Sequence, residues 1–226
     1  MAVIIPALDE EESLPLVLAA LPASPPHQVV VVDNGSRDRT AAVAGAAGAR
    51  VVHEPRRGYG RACQAGLRQL AAAPPDIVVF LDADFSDDPA DLPRLLEPLL
   101  AGDADLVIGS RVLGECQKGA LPPHVRWGNR LAIILINLLY GACFTDLGPF
   151  RALSWSACEQ LRLGDPNYGW NVEMQVKAAR DGLRTVEVPV SYRRRVGRSK
   201  ISGTIRGTVG AGTKILASVL RYGWKR

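Results

Sequence analysis

The stretch IVVFLDADFS, residues 77–86, sets the reading of the whole chain: five apolar residues, Ile77 to Leu81, run without a break into Asp82, Ala83 and Asp84. A strand covered on both faces reads as a continuous apolar run, whereas a half-solvated strand alternates. The carboxylates that end such a run are delivered to the rim of the sheet. In open α/β sheets, ligands bind outside the carboxyl ends of the strands. Two carboxylates one residue apart can share a hard divalent cation, which keeps waters and takes further ligands from phosphates. A diphosphate leaving group needs that charge as its bond breaks. An isolated acidic pair is also what an ordinary solvent-facing loop carries, so the rest of the chain has to decide.

Outward from that strand, the first half alternates. VIIP at 3–6, VVVVD at 29–33, RVVHE at 50–54 and ADLVIGS at 104–110 read as strands. Helical spacing follows from Glu10, Arg39, Gly60 and Ala90, the third helix being stopped by Pro74 and Pro75. Apolar strands alternating with helices predict an α/β fold with a mostly parallel central sheet flanked by helices on both faces. Pro6, Asp33 and Asp82 then sit at strand ends. In the second half, 115–124 reads as a Gly/Pro-containing loop, 131–140 as an apolar helix and DLGPFRAL at 146–153 as a turn. A helix from Trp170 to Arg180 and a strand running into a basic cluster at 193–195 follow.

The 226 residues suit one domain with a real core. Hydrophobic content of 47% with 22% charged residues is that of a soluble globular protein, so a wholly disordered or membrane-embedded chain is excluded. A net charge of +4 and a pI near 9.0 fit anionic ligands or an anionic membrane surface. Cys63, Cys116, Cys143 and Cys158 form no CxxC pair and match no zinc-site spacing, which reads as reduced thiols in the cytoplasm. The first apolar run, Val3 to Ile5, is far too short for a signal peptide. LAIILINLLY, residues 131–140, falls short of the roughly 20 residues of a spanning helix and reads as buried or interfacial. Arg126, Trp127 and Arg130 precede it, and Tyr222, Trp224, Lys225 and Arg226 lie in the tail. Basic and aromatic residues beside apolar helical faces suit peripheral attachment to anionic lipid, on the inner face of the membrane. A helix packed on the domain, or a contact in a homo-oligomer, carries the same pattern. Arg126 and Arg130, four apart on one helix face, can also grip an acceptor phosphate.

Other stretches carry candidate chemistry. Asp33 can accept hydrogen bonds from a base or ribose, while Gly35 and Ser36 make a tight turn and Ser36 or Asp38 can cap the next helix. In RRGYGRACQAG, Gly58 and Gly60 let the backbone approach a ligand closely; Arg61 either faces a diphosphate or is a solvated arginine at a helix entry. Arg193, Arg194, Arg195, Arg198 and Lys200 fall within eight positions, beside Gly197 and Gly203. Such a run is a solvated face or a lid over a diphosphate. Nucleic acid is the rival partner, discounted because no aromatic residue interleaves the charges after Tyr192.

In order and spacing, IIPALDEEESL, VVDNGSRDRT, RRGYGRACQAGL, FLDADFSDDP and VIGSR resemble the family 2 glycosyltransferases. DLGPFRAL and RRRVGRSKISG are similar to the branch that glycosylates polyprenyl phosphates, the dolichol-phosphate mannose and glucose synthases. The resemblance implies a GT-A (Rossmann-like) fold, a nucleotide-diphosphate-sugar donor, Mg²⁺ or Mn²⁺, and inversion at the anomeric carbon. Carried over by motif, Pro6, Ala7, Leu8 and Glu10 line the nucleobase and ribose, Asp33 contacts the base, and Gly58, Arg61 and Ala83 belong to the nucleotide-sugar site. Asp82 lies near the sugar and, with Asp84 as the principal ligand, holds the metal. Arg111 corresponds to a residue that holds phosphate. Asp146 falls beside the reacting centre, where it orients the acceptor or steadies oxocarbenium-like charge, or else it is a turn-forming Asp; Asn171 and Glu173 line the acceptor side, or Glu173 faces a basic neighbour. Arg198, Ser199 and Lys200 occupy the lid. Asp9 stands where the family has Asn, and Ser86 where some mannose synthases have a metal-assisting Gln, so Ser86 is not counted as a ligand.

The expectation is therefore one GT-A domain over 1–226: a nucleotide-sugar and metal half at 1–114, an acceptor half at 115–202 and an amphipathic helical tail at 203–226. It would move a hexose from UDP-glucose or GDP-mannose to a polyprenyl phosphate. The alternatives are a soluble or saccharide acceptor on the same fold, or a nucleotide-sugar binder without turnover. A sugar-1-phosphate nucleotidyltransferase should carry a Gly-rich loop after the first strand, and IIPALDEEE has no glycine.

Overall fold

The computed structural model describes residues 1–23, 28–197, 217–219 and 221–222. Its centre is one seven-stranded sheet of β1 (Ala2–Ala7), β2 (Gln28–Asp33), β3 (Arg50–His53), β4 (Ile77–Phe80), β5 (Leu106–Ser110), β6 (Arg151–Ser154) and β7 (Thr185–Pro189), in the order β3-β2-β1-β4-β6-β5-β7. All neighbouring pairs are parallel except those of β6, which runs antiparallel to both β4 and β5. The helices are α1 (Leu14–Ala20), α2 (Thr40–Ala46), α3 (Tyr59–Leu70), α4 (Leu92–Leu100), α5 (Pro123–Tyr140), α6 (Trp155–Leu161) and α7 (Trp170–Arg180).

Strand alternation divides the core in two. Val3, Ile5, Val31 and Val79 pack with residues of α1, α2 and α4 on one face. Ile4, Val30, Val32, Val78 and Phe80 pack with α3, α5, α6 and α7 on the other. With both faces covered, the continuous apolar pattern of β1, β2 and β4 follows. On α3 the contact is close: a Cβ on Gly66 would lie 2.6 Å from Ile4 Cγ2, so glycine lets the helix sit on β1. From β1 the chain order runs outward to β2 and β3 on one side and to β4 on the other, which makes a switch point at the carboxyl ends of β1 and β4.

One stretch differs from the sequence reading. Residues 146–153, read as a turn, are a turn followed by β6, and α6 comes directly after it. The strand is four residues long and begins with an arginine, so it carries neither an apolar run nor an alternation. Arg151 is nonetheless fully buried, because its guanidinium donates to Gly148 O at 2.7 Å, Asn171 O at 2.8 Å and Gln175 Oε1 at 2.6 Å. Burial pulls its pKa down to about 10.

The apolar segment at 131–140 is the latter part of α5, closed by Gly141 in a left-handed conformation at φ 63°. No helix among the described residues is long and apolar enough to cross a membrane. The expected amphipathic tail at 203–226 lies mostly outside the described residues. Where it is described, it is docked: Tyr140 Oη donates to Val219 O at 2.6 Å and Tyr222 Oη to Asp165 Oδ2 at 2.9 Å. Tyr222, grouped above with the interfacial aromatics, is buried in the domain instead.

Candidate active site

A cavity of about 280 Å³ opens at the switch point. β1 and the loop after it supply Pro6, Ala7, Leu8 and Glu10; the end of β4 supplies Asp82, Ala83 and Asp84. Asn34 follows β2, Arg57, Gly58, Tyr59 and Ala62 come from the entry to α3, and Asn167, Tyr168 and Arg195 arrive from the second half. Of the residues expected at a nucleotide-sugar site, Pro6, Ala7, Leu8, Glu10, Gly58, Asp82, Ala83 and Asp84 are thus together. Asp33, Arg61, Arg111 and Asp146 do not line this cavity. Arg126 and Arg130 are exposed on α5, and Arg198, Ser199 and Lys200 lie outside the described residues.

The rim is built by two loops stitched to each other. Asp9 N donates to Ser36 Oγ at 3.0 Å and Glu11 N to Asp38 Oδ2 at 3.0 Å, while Arg37 N donates to Asp9 Oδ1 at 2.7 Å. Ser36 therefore serves the neighbouring loop rather than capping α2; Asp38 does both, since its Oδ1 also accepts from Thr40 N at 2.9 Å. Asp9 has φ 52°, a region that Asn and Asp tolerate better than other residues, so an Asp fits this position. Asp33 has structural partners: Oδ1 accepts from Ser36 N at 2.9 Å and Oδ2 sits 3.1 Å from His53 Nδ1. The residue after it does more for the cavity. Asn34 Nδ2 donates to Glu54 O and Arg56 O, both at 2.9 Å, and Oδ1 accepts from Gly58 N at 2.7 Å, which fixes the wall at 54–58.

Gly58 and Gly60 also have a different purpose from the one read in the sequence. A Cβ on Gly58 would lie 2.2 Å from Pro166 O, and one on Gly60 1.8 Å from Asp165 O. What these glycines admit is the chain's own backbone. Arg61 N donates to Pro166 O at 3.1 Å in the same contact. Loop 165–168 thereby lies across the start of α3 and brings Asn167 and Tyr168 into the wall.

At the floor are the two carboxylates. Asp82 Oδ1 accepts from Tyr59 Oη at 3.0 Å. Asp84 Oδ1 accepts from Ser86 N at 2.9 Å and Ser86 Oγ at 2.5 Å, and its Oδ2 lies 3.3 Å from Arg195 Nη1. Ser86 thus orients the Asp84 carboxylate. Burial, and then the charge of Asp84, push the Asp82 carboxyl up to about 7. Two carboxylates that repel each other at a cavity floor fit a divalent cation. Among the described residues no three His, Cys, Asp or Glu side chains gather to hold a metal, so its other ligands would be diphosphate oxygens and water.

Behind this floor lies a second assembly. Arg111 grips Asp146 through Nε to Oδ2 at 2.7 Å, Nη2 to Oδ1 at 2.8 Å and its backbone N to Oδ2 at 2.9 Å. Asn129 Nδ2 and Leu147 N add donors to Oδ1 at 2.6 and 2.8 Å. Burial alone would raise the Asp146 carboxyl, but the hydrogen bonds and charge of Arg111 outweigh it and hold it below its ordinary value. So bound, Asp146 is a poor base, and Arg111 has its guanidinium committed to a carboxylate. The loop carrying Asp146 is held from β7, where Glu187 accepts from Thr145 N at 2.8 Å and Asp146 N at 3.1 Å. Asp87 is buried nearby with neither carboxyl oxygen hydrogen-bonded, and burial followed by the charge of Asp82 pushes its pKa well above the carboxylate range. Glu173, expected on the acceptor side, accepts from Gly164 N and Asp165 N at 2.9 and 2.6 Å and pairs with Lys177 at 2.7 Å; it shapes loop 164–165.

The sequence reading missed Asn34, Tyr59, Asn167 and Tyr168, and did not single out Arg195 within its basic run. Only Arg195 left a usable trace, as a cation three residues past Tyr192, where the strand-like segment ends.

Comparison with known proteins bears on this arrangement. The sequence model of glycosyl transferase family 2 matches residues 2–162. An uncharacterized glycosyltransferase of Mycobacterium tuberculosis is 42% identical over 214 residues, spanning 92% of this chain and 93% of its own. The undecaprenyl-phosphate mannosyltransferase of Micrococcus luteus is 35% identical over 232 residues, spanning 97% and 92%. Among solved structures, glucosyl-3-phosphoglycerate synthase from Mycobacterium tuberculosis, in complex with Mn²⁺, uridine diphosphate and phosphoglyceric acid, matches with a TM-score of 0.77 at 26% identity, covering 100% of this chain and 78% of that one.

Proposed function

The chain belongs to glycosyl transferase family 2, and from that premise we propose that it moves a hexose, glucose or mannose, from UDP-glucose or GDP-mannose to a polyprenyl phosphate at a membrane surface, with inversion. The cavity at the switch point of its GT-A sheet supports a nucleotide-diphosphate site there. Asp84, oriented by Ser86, and Asp82, held by Tyr59, are the residues that would bind Mg²⁺ or Mn²⁺. When bound, the cation supplies the positive charge that stabilises the departing diphosphate. The solved neighbour in complex with Mn²⁺ and uridine diphosphate supports a divalent metal and a nucleotide donor. A phosphate acceptor is already ionised near neutral pH, so the reaction needs no strong base, in keeping with an Asp146 held below its ordinary pKa. Asp146 instead fixes Arg111 and the loop beside the reacting centre.

The observation that carries the acceptor is the two-sidedness of α5. Its inner side holds Asp146 through Asn129, and Ala132, Ile133 and Ile136 are buried. Its outer side exposes Trp127, Leu131, Ile134 and Leu138, spaced four, three and four apart, with relative exposures of 71%, 47%, 51% and 77%. From Cys116 to Thr145 there is no Asp or Glu, whereas Lys118, Arg126 and Arg130 are present. An apolar stripe beside cations suits an anionic lipid surface and an acceptor with a phosphate head and a hydrocarbon tail. The name of the Micrococcus luteus relative points the same way.

A second reading is favoured by the solved neighbour, whose complex contains phosphoglyceric acid: a small phosphorylated acid as acceptor. A transfer assay separates them. Purified protein with Mn²⁺ or Mg²⁺ is given labelled UDP-glucose or GDP-mannose, with a short polyprenyl phosphate or with 3-phosphoglycerate. Label should enter the organic phase with one donor. Asp84→Ala should lower that transfer by about 10²–10³-fold with its melting temperature kept. Aqueous product formed only with phosphoglycerate would establish the second reading, and donor binding without product under any acceptor would leave a nucleotide-sugar binder.

A further inference from the structure

We infer that Arg195 is a built-in counter-ion of the carboxylate pair: it must leave Asp84 before a divalent cation can load, and the diphosphate of the donor then takes it up, so that metal and nucleotide bind together rather than in turn. The inference rests on the proposed metal role of Asp84.

Three observations lead there. First, the guanidinium bridges the ends of two strands across the cavity, with Nη1 3.3 Å from Asp84 Oδ2 and Nη2 donating to Glu10 Oε1 at 2.8 Å. Second, the grip is incomplete. The Nε of Arg195 is buried and has no hydrogen-bond partner, so the side chain has a donor left over in its present position. Buried polar groups are normally satisfied, and one that is not marks a site where another partner belongs. Third, the backbone around Arg195 is anchored, while its side chain, paired with Glu10 and Asp84, is 29% exposed. Arg193 N donates to Ser86 O at 2.8 Å, Val196 N to Asp84 O at 3.0 Å, and Arg194 N to Gln117 Oε1 at 2.8 Å. The Arg193 guanidinium lies over the Phe85 ring at 4.3 Å. The guanidinium of Arg195 can therefore swing about a fixed base without moving the loop that carries Asp84.

The chemistry of exchange follows. Mg²⁺ coordinates carboxylate oxygen at about 2.0–2.1 Å. A cation on Asp84 Oδ2 would stand within a few ångströms of a guanidinium 3.3 Å from the same oxygen, and like charges that close repel unless anions lie between them. A diphosphate is such an anion. Its oxygens would serve both the cation held by Asp84 and the planar donor fork of Arg195, including the Nε that now lacks a partner. Without nucleotide, Arg195 competes with the metal; with nucleotide, it assists it.

The test is Mn²⁺ binding, followed by the electron paramagnetic resonance signal of free Mn²⁺, with and without UDP or GDP, in the full chain. Arg195→Met removes the charge and keeps most of the apolar stem. Nucleotide-free Mn²⁺ binding should tighten by about tenfold, and the gain in Mn²⁺ affinity that nucleotide brings to the wild type should shrink by about the same factor. Arg195→Lys keeps a charge without the fork, so nucleotide-free Mn²⁺ binding should stay as weak as in the wild type while nucleotide binding in the presence of Mn²⁺ weakens. Arg195→Gln gives the same reading as Met if Met does not fold. Wild-type Mn²⁺ binding that is lost in Asp84→Ala but unchanged in Arg195→Met and Arg195→Gln overturns the counter-ion and leaves the metal site standing. No Mn²⁺ binding by any form, with or without nucleotide, overturns the metal site and the counter-ion together.

Discussion

Single residues at the floor of the cavity and behind it are defined by what they are denied. Asp82 has one hydroxyl donor and a charged neighbour; Asp87 has no donor at all. Because the Asp87 pKa is raised in the folded protein, the stability tied to its proton is complete below the ordinary carboxyl range and is lost as pH rises through the folded value. Asp87→Asn cannot ionise in either state. Its urea-unfolding free energy should therefore fall less steeply than that of the wild type above about pH 5, by up to about 1.4 kcal/mol per pH unit. Parallel pH profiles for the two proteins would mean that Asp87 is ionised in the fold. At this scale the sequence was legible where a residue type has one purpose. The pair Asp82 and Asp84 was found because carboxylates rarely end a buried strand for nothing. Asp33 looked equivalent but does not line the cavity, and a turn donor and His53 bind its oxygens. Tyr59 and Asn34 were invisible, because an aromatic at a helix entry and an amide in a turn have commoner uses.

Elements position these residues, and two of them can be tested. Strand β7 holds the Asp146 loop through Glu187, which accepts two backbone N–H groups. Glu187→Gln turns an amide NH₂ toward one of those donors. It should cost about 1–3 kcal/mol in denaturant unfolding and lower transfer, with donor binding retained. Helix α5 makes the converse case, since its outer stripe is exposed. Trp127→Glu with Leu138→Glu should change stability by no more than about 0.5 kcal/mol yet abolish co-flotation with vesicles containing anionic lipid. Retained flotation would move the lipid contact elsewhere. Both halves of α5 were readable from apolar content and flanking arginines, but not which side faced in. That depends on Asn129 reaching Asp146, a partner 17 residues away. Strand β6 was missed for a related reason. A four-residue strand headed by a buried arginine makes sense only once Gln175 and two carbonyls are seen around it.

At the scale of the molecule, the parallel half and its switch point were legible, because alternation of strand and helix leaves few topologies open. How the second half folds back was not. Loop 165–168 contacts the entry to α3 across 100 residues of sequence, and the only trace of that is two glycines whose neighbours the sequence does not name. The far end of the chain is joined to the same loop. Asp165 accepts from Asn167 N at 2.7 Å and Gly169 N at 3.1 Å, and with Oδ2 from Tyr222 Oη at 2.9 Å. Tyr222 is thus a tie rod. Its hydroxyl holds the turn that presents Asn167 and Tyr168 to the cavity. Tyr222→Phe touches no part of the cavity, yet it should raise the KM for the proposed nucleotide-sugar donor several-fold with little change in kcat, so that a residue outside the cavity sets the shape of its wall.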